Sequence, residues 1–230
     1  VDLGFGASGV TALELEERLH RARPDVEILG LEIDPERVAT ADAQLERVRA
    51  GAGVFRPDAR VSFAVGGFEV PAPRRPRIIR AMNVLRQYDE TDVPAAWRRM
   101  ADRLQPGGLL VEGTCNEVGR VATWAGIDST GQAVTFTIAL RLTDLELPSV
   151  AAERLPKALI HRNVPGERVH EYLAALDREW ARAAPLSAFG AAQRWRAAMQ
   201  AMVEAGWPLH ARSRWRLGEV TVPWSAVAPA

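Results

Sequence analysis

The chain has 230 residues, with 29 lysine plus arginine against 29 aspartate plus glutamate, so it is formally neutral at pH 7. Neutrality removes the global pull toward nucleic acid or anionic membrane that a basic surplus would give. The single cysteine, Cys115, excludes an internal disulfide and a multi-cysteine zinc site. An apolar share of 47% with 25% charged residues is that of a globular, cytoplasmic-type protein, and no apolar run approaches the roughly 20 residues of a membrane helix.

Val1 to Leu3 reads as the end of a buried strand, and Thr11 to Arg23 as a helix with Leu15, Leu19 and Ala22 on one face. Gly4, Gly6 and Gly9 fall between them, in the G-x-G-x-x-G spacing that brings bare backbone against a nucleotide-like ligand. Asp2 stands two residues before the first glycine. A carboxylate there repels a pyrophosphate and attracts an ammonium group.

Glu27 to Ile33 is a second apolar strand. Asp34 then serves as an N-cap with Pro35 at the first helical position, and Val38, Ala41, Leu45 and Val48 recur at helical spacing up to Gly51. Val61, Phe63 and Val65 alternate as a third strand, and Arg77 to Met82 makes a fourth. Trp97, Met100, Ala101 and Leu104 mark a helix that stops at Gln105-Pro106-Gly107-Gly108 and turns into a fifth strand, Leu109 to Val111. Strands alternating with helices at this rhythm predict a parallel sheet covered on both faces.

The second half departs from that rhythm. Arg120 to Asp128 and Ala133 to Leu142 read as a hairpin turning at residues 129–132. Val169 to Trp180 is an amphipathic helix, and a further helix carries Ala192, Trp195, Met199 and Met202. The tail, Leu209 to Trp224, reads as two strands with a turn near Leu217-Gly218, which would place Arg212, Arg214 and Arg216 on one face.

Four segments in order resemble the class I S-adenosylmethionine-dependent methyltransferases: Asp2-Leu3-Gly4-Phe5-Gly6, Gly30-Leu31-Glu32-Ile33-Asp34, Gly66-Gly67-Phe68-Glu69 and Leu104-Gln105-Pro106-Gly107-Gly108. The Ala205-Gly206-Trp207 helix ending is similar to the family as well. The resemblance covers residues 1–114 and 188–224. It implies a Rossmann-like, doubly wound, largely parallel seven-stranded sheet with an antiparallel tail hairpin. Residues 1–230 would then form one domain, with 116–187 an inserted hairpin and helical segment lying over the carboxyl ends of the strands. An upstream N-terminal segment would precede Val1.

The cofactor that the resemblance implies is S-adenosyl-L-methionine, with no metal. The resemblance assigns Asp2, Gly4, Phe5 and Gly6 to its methionine part, and Glu32 and Ile33 to its ribose. Glu32 lies 23 residues after Gly9, near the ~20 expected of a ribose-binding acid, and Asp34 is its rival for that role. Gly67 and Phe68 would face the adenine. Gly67 stands where many relatives carry an acid, so stacking, backbone or Glu69 would take over. Asn83 and Val84 belong to an Asn-Val-Leu segment similar to that of chemotaxis-receptor methyltransferases, although a cap role for Asn83 stays open. The Asn/Asp-Pro-Pro-Tyr motif of exocyclic-amine methyltransferases is absent.

On the acceptor side the candidates are Tyr88, Trp124, His161, Arg162 and Asn163. Cys115 follows Thr114 much as the nucleophile of RNA cytosine-C5 methyltransferases does, but the companion Pro-Cys is missing, and a structural thiol is the preferred reading. No general base is identified. The expected activity is methyl transfer to a small-molecule acceptor, with a homodimer left open. Two other readings stand beside it: an NAD(P)-dependent oxidoreductase, and a non-catalytic S-adenosylmethionine-binding partner protein.

Overall fold

A computed structural model describes residues 1–229. The first half follows the predicted alternation. It contains β1 (Asp2–Leu3), α1 (Val10–His20), β2 (Ile28–Glu32), α2 (Pro35–Arg49), β3 (Val61–Val65), β4 (Ile78–Met82), α3 (Val93–Ala101) and β5 (Leu109–Cys115). Then come β6 (Val121–Asp128), β7 (Ala133–Leu140), α4 (Lys157–Ile160), α5 (Arg168–Arg182), α6 (Ala191–Glu204) and β8 (Glu219–Pro223). All eight strands join one sheet in the order β3-β2-β1-β4-β5-β6-β7-β8. The pairs from β3 through β5 are parallel, and those from β5 through β8 are antiparallel.

Register explains where the core lies. Directly paired residues share a face. One row runs Ala64, Leu31, Leu3, Ala81, Glu112, Ala125, Phe136, Val222 across all eight strands. From Leu31 onward every member is buried, and Glu112 is its single charged residue. Over β1, β4, β5 and β6 this face packs on α3, through Trp97, Met100 and Ala101. Over β7 and β8 it packs on α5 and α6, through Tyr172, Leu176, Trp180, Trp195 and Met199. The adjacent row, Phe63, Gly30, Asp2, Arg80, Val111, Gly126, Thr135, Pro223, lies on the opposite face. There α1 and α2 cover β2 and β3 through Leu13, Leu45 and Val48. Helices thus flank both faces, as a doubly wound sheet requires.

Two expectations are corrected. The sheet has eight strands, not seven, because β6 and β7 are inner strands of the main sheet. Within residues 116–187 the hairpin completes the antiparallel half of the sheet, and α5 packs beneath it. The pairing of β6 onto β5 buries Ala125 and Ile127 against α3, a gain that the hairpin pattern alone does not disclose. The tail is not a hairpin either. Residues Arg212–Leu217 form a 3-10 helix that buries Trp215, and only β8 pairs with the sheet in register, apart from a single bridge from His210 to Thr221. Arg214 turns back to bond Glu219 at 2.7 Å, so the three arginines do not form a strand face.

Candidate functional site

The parallel strands end in loops along one edge of the sheet, where ligands of open α/β sheets bind. A cleft of about 670 Å³ opens there. Its walls come from the β1–α1 turn, the ends of β2 and β3, the segment after β4 and the end of β5. Asp2, Gly4, Phe5, Gly6, Glu32, Ile33, Gly67, Phe68, Asn83, Val84 and Tyr88 all line it.

The glycine turn is built for close approach. Gly4 and Gly6 have φ of 69° and 87°, conformations that a side chain resists. A Cβ on Gly4 would lie 2.6 Å from Val84, so bare backbone is required between the β1 and β4 loops. Gly4 N–H donates to the Leu31 carbonyl at 2.7 Å. The Thr11 hydroxyl donates to the Phe5 carbonyl at 3.1 Å, and the Phe5 ring meets Phe63 edge-on at 4.9 Å.

Glu32 sits at the end of β2 and is 6% exposed. One oxygen accepts from Gly6 N–H at 3.2 Å and the other from Ile33 N–H at 2.9 Å. Each oxygen keeps lone-pair capacity toward the cleft. The bond from Gly6 ties the glycine turn to the acid and removes a donor that a pyrophosphate would need. Asp34 is the α2 cap, accepting from Glu36 N–H at 2.9 Å, and its second oxygen lies 3.4 Å from Arg37.

Asp2 is 3% exposed. One carboxylate oxygen lies 3.3 Å from the Arg80 guanidinium, and the other makes no hydrogen bond of ordinary length and angle, although the Thr11 hydroxyl and the N-terminal ammonium also act on the carboxylate. Burial pushes its pKa above the usual carboxylate range, with Arg80 opposing. A buried carboxylate with an orphan oxygen on a cleft wall is a site that a donor-bearing cation would complete.

On the far wall the Phe68 and Tyr88 rings meet at 5.2 Å, tilted by 56°. Glu69 folds back to accept from Gly67 N–H at 2.8 Å, and this backbone bonding holds its carboxyl below the usual range. Asn83 adopts φ of 63°, a left-handed conformation that asparagine tolerates better than most residues. Its carbonyl oxygen accepts from Cys115 N–H at 2.9 Å, and its amide reaches the Cys115 sulfur at 3.4 Å. Asn83 therefore clamps the end of β4 to the end of β5, a role that neither the cap nor the ligand reading anticipates. Val84, not Asn83, stands at the N-cap of the following 3-10 turn.

The remaining acceptor-side candidates lie elsewhere. Trp124 is at mid-strand in β6, paired with Gly113 and Thr137. Arg162 is held by Glu90 at 3.0 Å and Glu167 at 3.3 Å, and Asn163 meets His170 at 3.2 Å. None of Trp124, His161, Arg162 and Asn163 is part of the cleft wall. The cleft instead includes Arg37, Arg80, Gln87, Asn116 and Glu117, which sequence reasoning left out. Arg80 carries a signal in hindsight, since a charged residue inside the Ile-Ile-Arg-Ala-Met strand needs a buried counter-charge. Among the described residues no cluster of histidine, cysteine or carboxylate side chains could hold a metal. Among the described residues no helix is long and apolar enough to cross a membrane.

No family model matches the chain, and no curated protein matches it. Solved structures do. Magnesium protoporphyrin IX methyltransferase from Synechocystis PCC 6803, with S-adenosylhomocysteine bound, is 16% identical over 50% of this chain and 46% of its own, with a TM-score of 0.38. NcsB1, an O-methyltransferase of neocarzinostatin biosynthesis, is 21% identical over 50% of this chain and 34% of its own, with a TM-score of 0.37. The cyclase SpnF is 23% identical over 49% of this chain and 37% of its own, with a TM-score of 0.37. The chain thus spans less than half the length of each of these three proteins.

Proposed function

We propose that the chain is an S-adenosylmethionine-dependent methyltransferase acting on a small molecule. The observation that carries this reading is the pairing of Asp2 and Glu32 across a bare glycine turn. Asp2 offers a buried orphan carboxylate oxygen where an ammonium would bind. Glu32, fixed by Gly6 and Ile33, offers acceptors where ribose hydroxyls would lie. Phe68 and Tyr88 offer a ring pair on the wall that an adenine would touch. When bound, the cofactor supplies an electrophilic methyl group on a sulfonium. The protein's own part is to orient, exclude water and hold the acceptor in line, effects that dominate when no further activation is needed.

A dinucleotide fits this cleft poorly. The Gly6 N–H is already taken by Glu32, and the Asp2 carboxylate repels a pyrophosphate. Calorimetric titration separates the two readings. Saturable one-to-one binding of S-adenosylhomocysteine is expected, with NAD and NADP at least about a hundredfold weaker, a gap of roughly 2.7 kcal/mol. Tight NAD binding with no response to S-adenosylhomocysteine would overturn the proposal. Formation of S-adenosylhomocysteine from S-adenosylmethionine in the presence of cell extract then distinguishes an enzyme from a silent binding protein.

A further inference from the structure

A second cleft, of about 640 Å³, opens beside the first at the same edge of the sheet, between the start of β6, the end of β7 and the loop after β7. The two clefts share Asn116. Its side-chain oxygen accepts from Arg120 N–H at 2.8 Å and Val121 N–H at 3.3 Å, so a tight turn forms the partition between them.

The outer wall of this cleft is anchored in place. Trp180 Nε1 donates to the Glu146 carbonyl at 2.9 Å, and Ser149 N–H donates to Asp177 at 2.8 Å. The hydroxyls of Thr114 and Thr123 both donate to the Arg154 carbonyl. Asp144 takes a left-handed φ of 62° to make the corner of the loop. Val121, Leu140, Leu147 and Val150 supply an apolar floor.

The charges divide by wall. Arg120 and Arg141 stand on the strand side, their backbones joined at 2.8 Å. Asp144, Glu146 and Glu153 stand on the loop side. Among the described residues, none of these five side chains has an ion-pair partner, so the walls do not neutralise each other across the gap. A ligand carrying one charge would satisfy one wall and face repulsion from the other. A ligand carrying both would satisfy the two together.

We propose that this second cleft is a ligand site beside the cofactor cleft and that it takes a zwitterion with an apolar side chain, an amino acid or short peptide, whose carboxylate meets Arg120 and Arg141 and whose ammonium meets Asp144, Glu146 and Glu153. The ligand class follows from the two walls and does not rest on the methyltransferase reading.

The test uses three probes of one shape on the full chain saturated with S-adenosylhomocysteine: L-phenylalanine, 3-phenylpropanoate and phenethylamine. L-Phenylalanine should bind about fivefold or more tighter than either single-charge analogue, the upper range for exposed ion pairs. Arg120→Gln with Arg141→Gln should reduce its affinity to that of the amine, while S-adenosylhomocysteine affinity and melting temperature stay unchanged. No saturable binding of any probe in the millimolar range, equal affinity for all three, or binding that survives the paired substitution would overturn the proposal. If the probes behave as expected while S-adenosylhomocysteine fails to bind, the cleft assignment holds and the methyltransferase reading falls.

Discussion

The two halves of the sheet solve different problems. From β3 to β5 each strand points the same way, so every crossover returns to one edge and leaves loops there to shape a cleft. From β5 to β8 the strands reverse: β5–β6 and β6–β7 are joined by short turns, residues 141–218 between β7 and β8 carry α4, α5 and α6, and the sheet serves mainly as a floor for α5 and α6. The parallel half is rich in polar groups at its edge: Asp2, Glu32, Arg37 and Arg80 all lie on the first cleft. The antiparallel half is rich in buried aromatics, with Phe136, Tyr172, Trp180 and Trp195 all in one cluster. Cofactor recognition and the aromatic core are thereby placed on different strands. Substitutions in one half should leave the other's property nearly intact, and each outcome below breaks or sharpens that division.

The largest effect is expected at Trp195, fully buried and set edge-on to Trp180 at 6.1 Å. Trp195→Ala should cost about 3–5 kcal/mol of stability, read as a shift in denaturant midpoint. Affinity of the folded fraction for S-adenosylhomocysteine should not change. A lost affinity at unchanged stability would join the two halves that the fold separates.

Glu112 comes next. It sits in the buried row beneath α3, with one oxygen accepting from Trp97 Nε1 at 3.1 Å and the other without a partner. Burial pushes its pKa up to about 7 from 4.5, with the Trp97 bond opposing. The folded state therefore holds a proton that the unfolded state has released. This stabilisation is complete below pH 4.5 and lost as pH rises through 7. The loss is on the order of 3 kcal/mol. Glu112→Gln should flatten that part of the stability–pH curve, measured as urea midpoints from pH 4.5 to 8. An unchanged slope would mean that Glu112 is ionised in the folded protein.

Within the cleft, Glu32 and Asp34 should separate cleanly. Glu32→Gln should weaken S-adenosylhomocysteine binding by about 1.5–3 kcal/mol, the scale of hydrogen bonds to a charged group. Asp34→Ala should cost about 1 kcal/mol of stability as a lost cap and little affinity. The reverse pattern would exchange their roles. Smallest of all, Cys115→Ser should change both affinity and stability by less than about 0.5 kcal/mol. A hydroxyl can still accept from Asn83, and the backbone bond that fixes this corner is untouched.

The same division governs what the sequence discloses. In the parallel half each signal is local. Gly4 and Gly6 mark the turn, Asp34-Pro35 marks a helix start, and Pro106-Gly107-Gly108 marks a strand start. These short-range rules place the turns and element starts, and the family resemblance is what draws Gly67, Phe68, Asn83 and Val84 to the same site. In the antiparallel half the hairpin is legible to within two residues at each end, but its partner is not. That β6 pairs with β5 depends on burial of Ala125 and Ile127 against α3, which no local pattern encodes. Trp124, His161, Arg162 and Asn163 lie away from the cleft because the hairpin joins the sheet. Alternation in the tail suggested a strand, yet burial of Trp215 favours a 3-10 turn there. Arg80 is placed only by the fold, because its counter-charge, Asp2, comes from another strand.

Hydrogen exchange with and without S-adenosylhomocysteine tests the division most directly. Protection should rise in residues 4–9, 32–37, 66–70, 83–88 and 115–117, the loops at the parallel edge. Backbone amides of β7, β8, α5 and α6 should exchange at the same rate in both states. Protection confined to the antiparallel half, or absent everywhere at saturating ligand, would contradict the assignment of cofactor binding to the glycine-turn cleft.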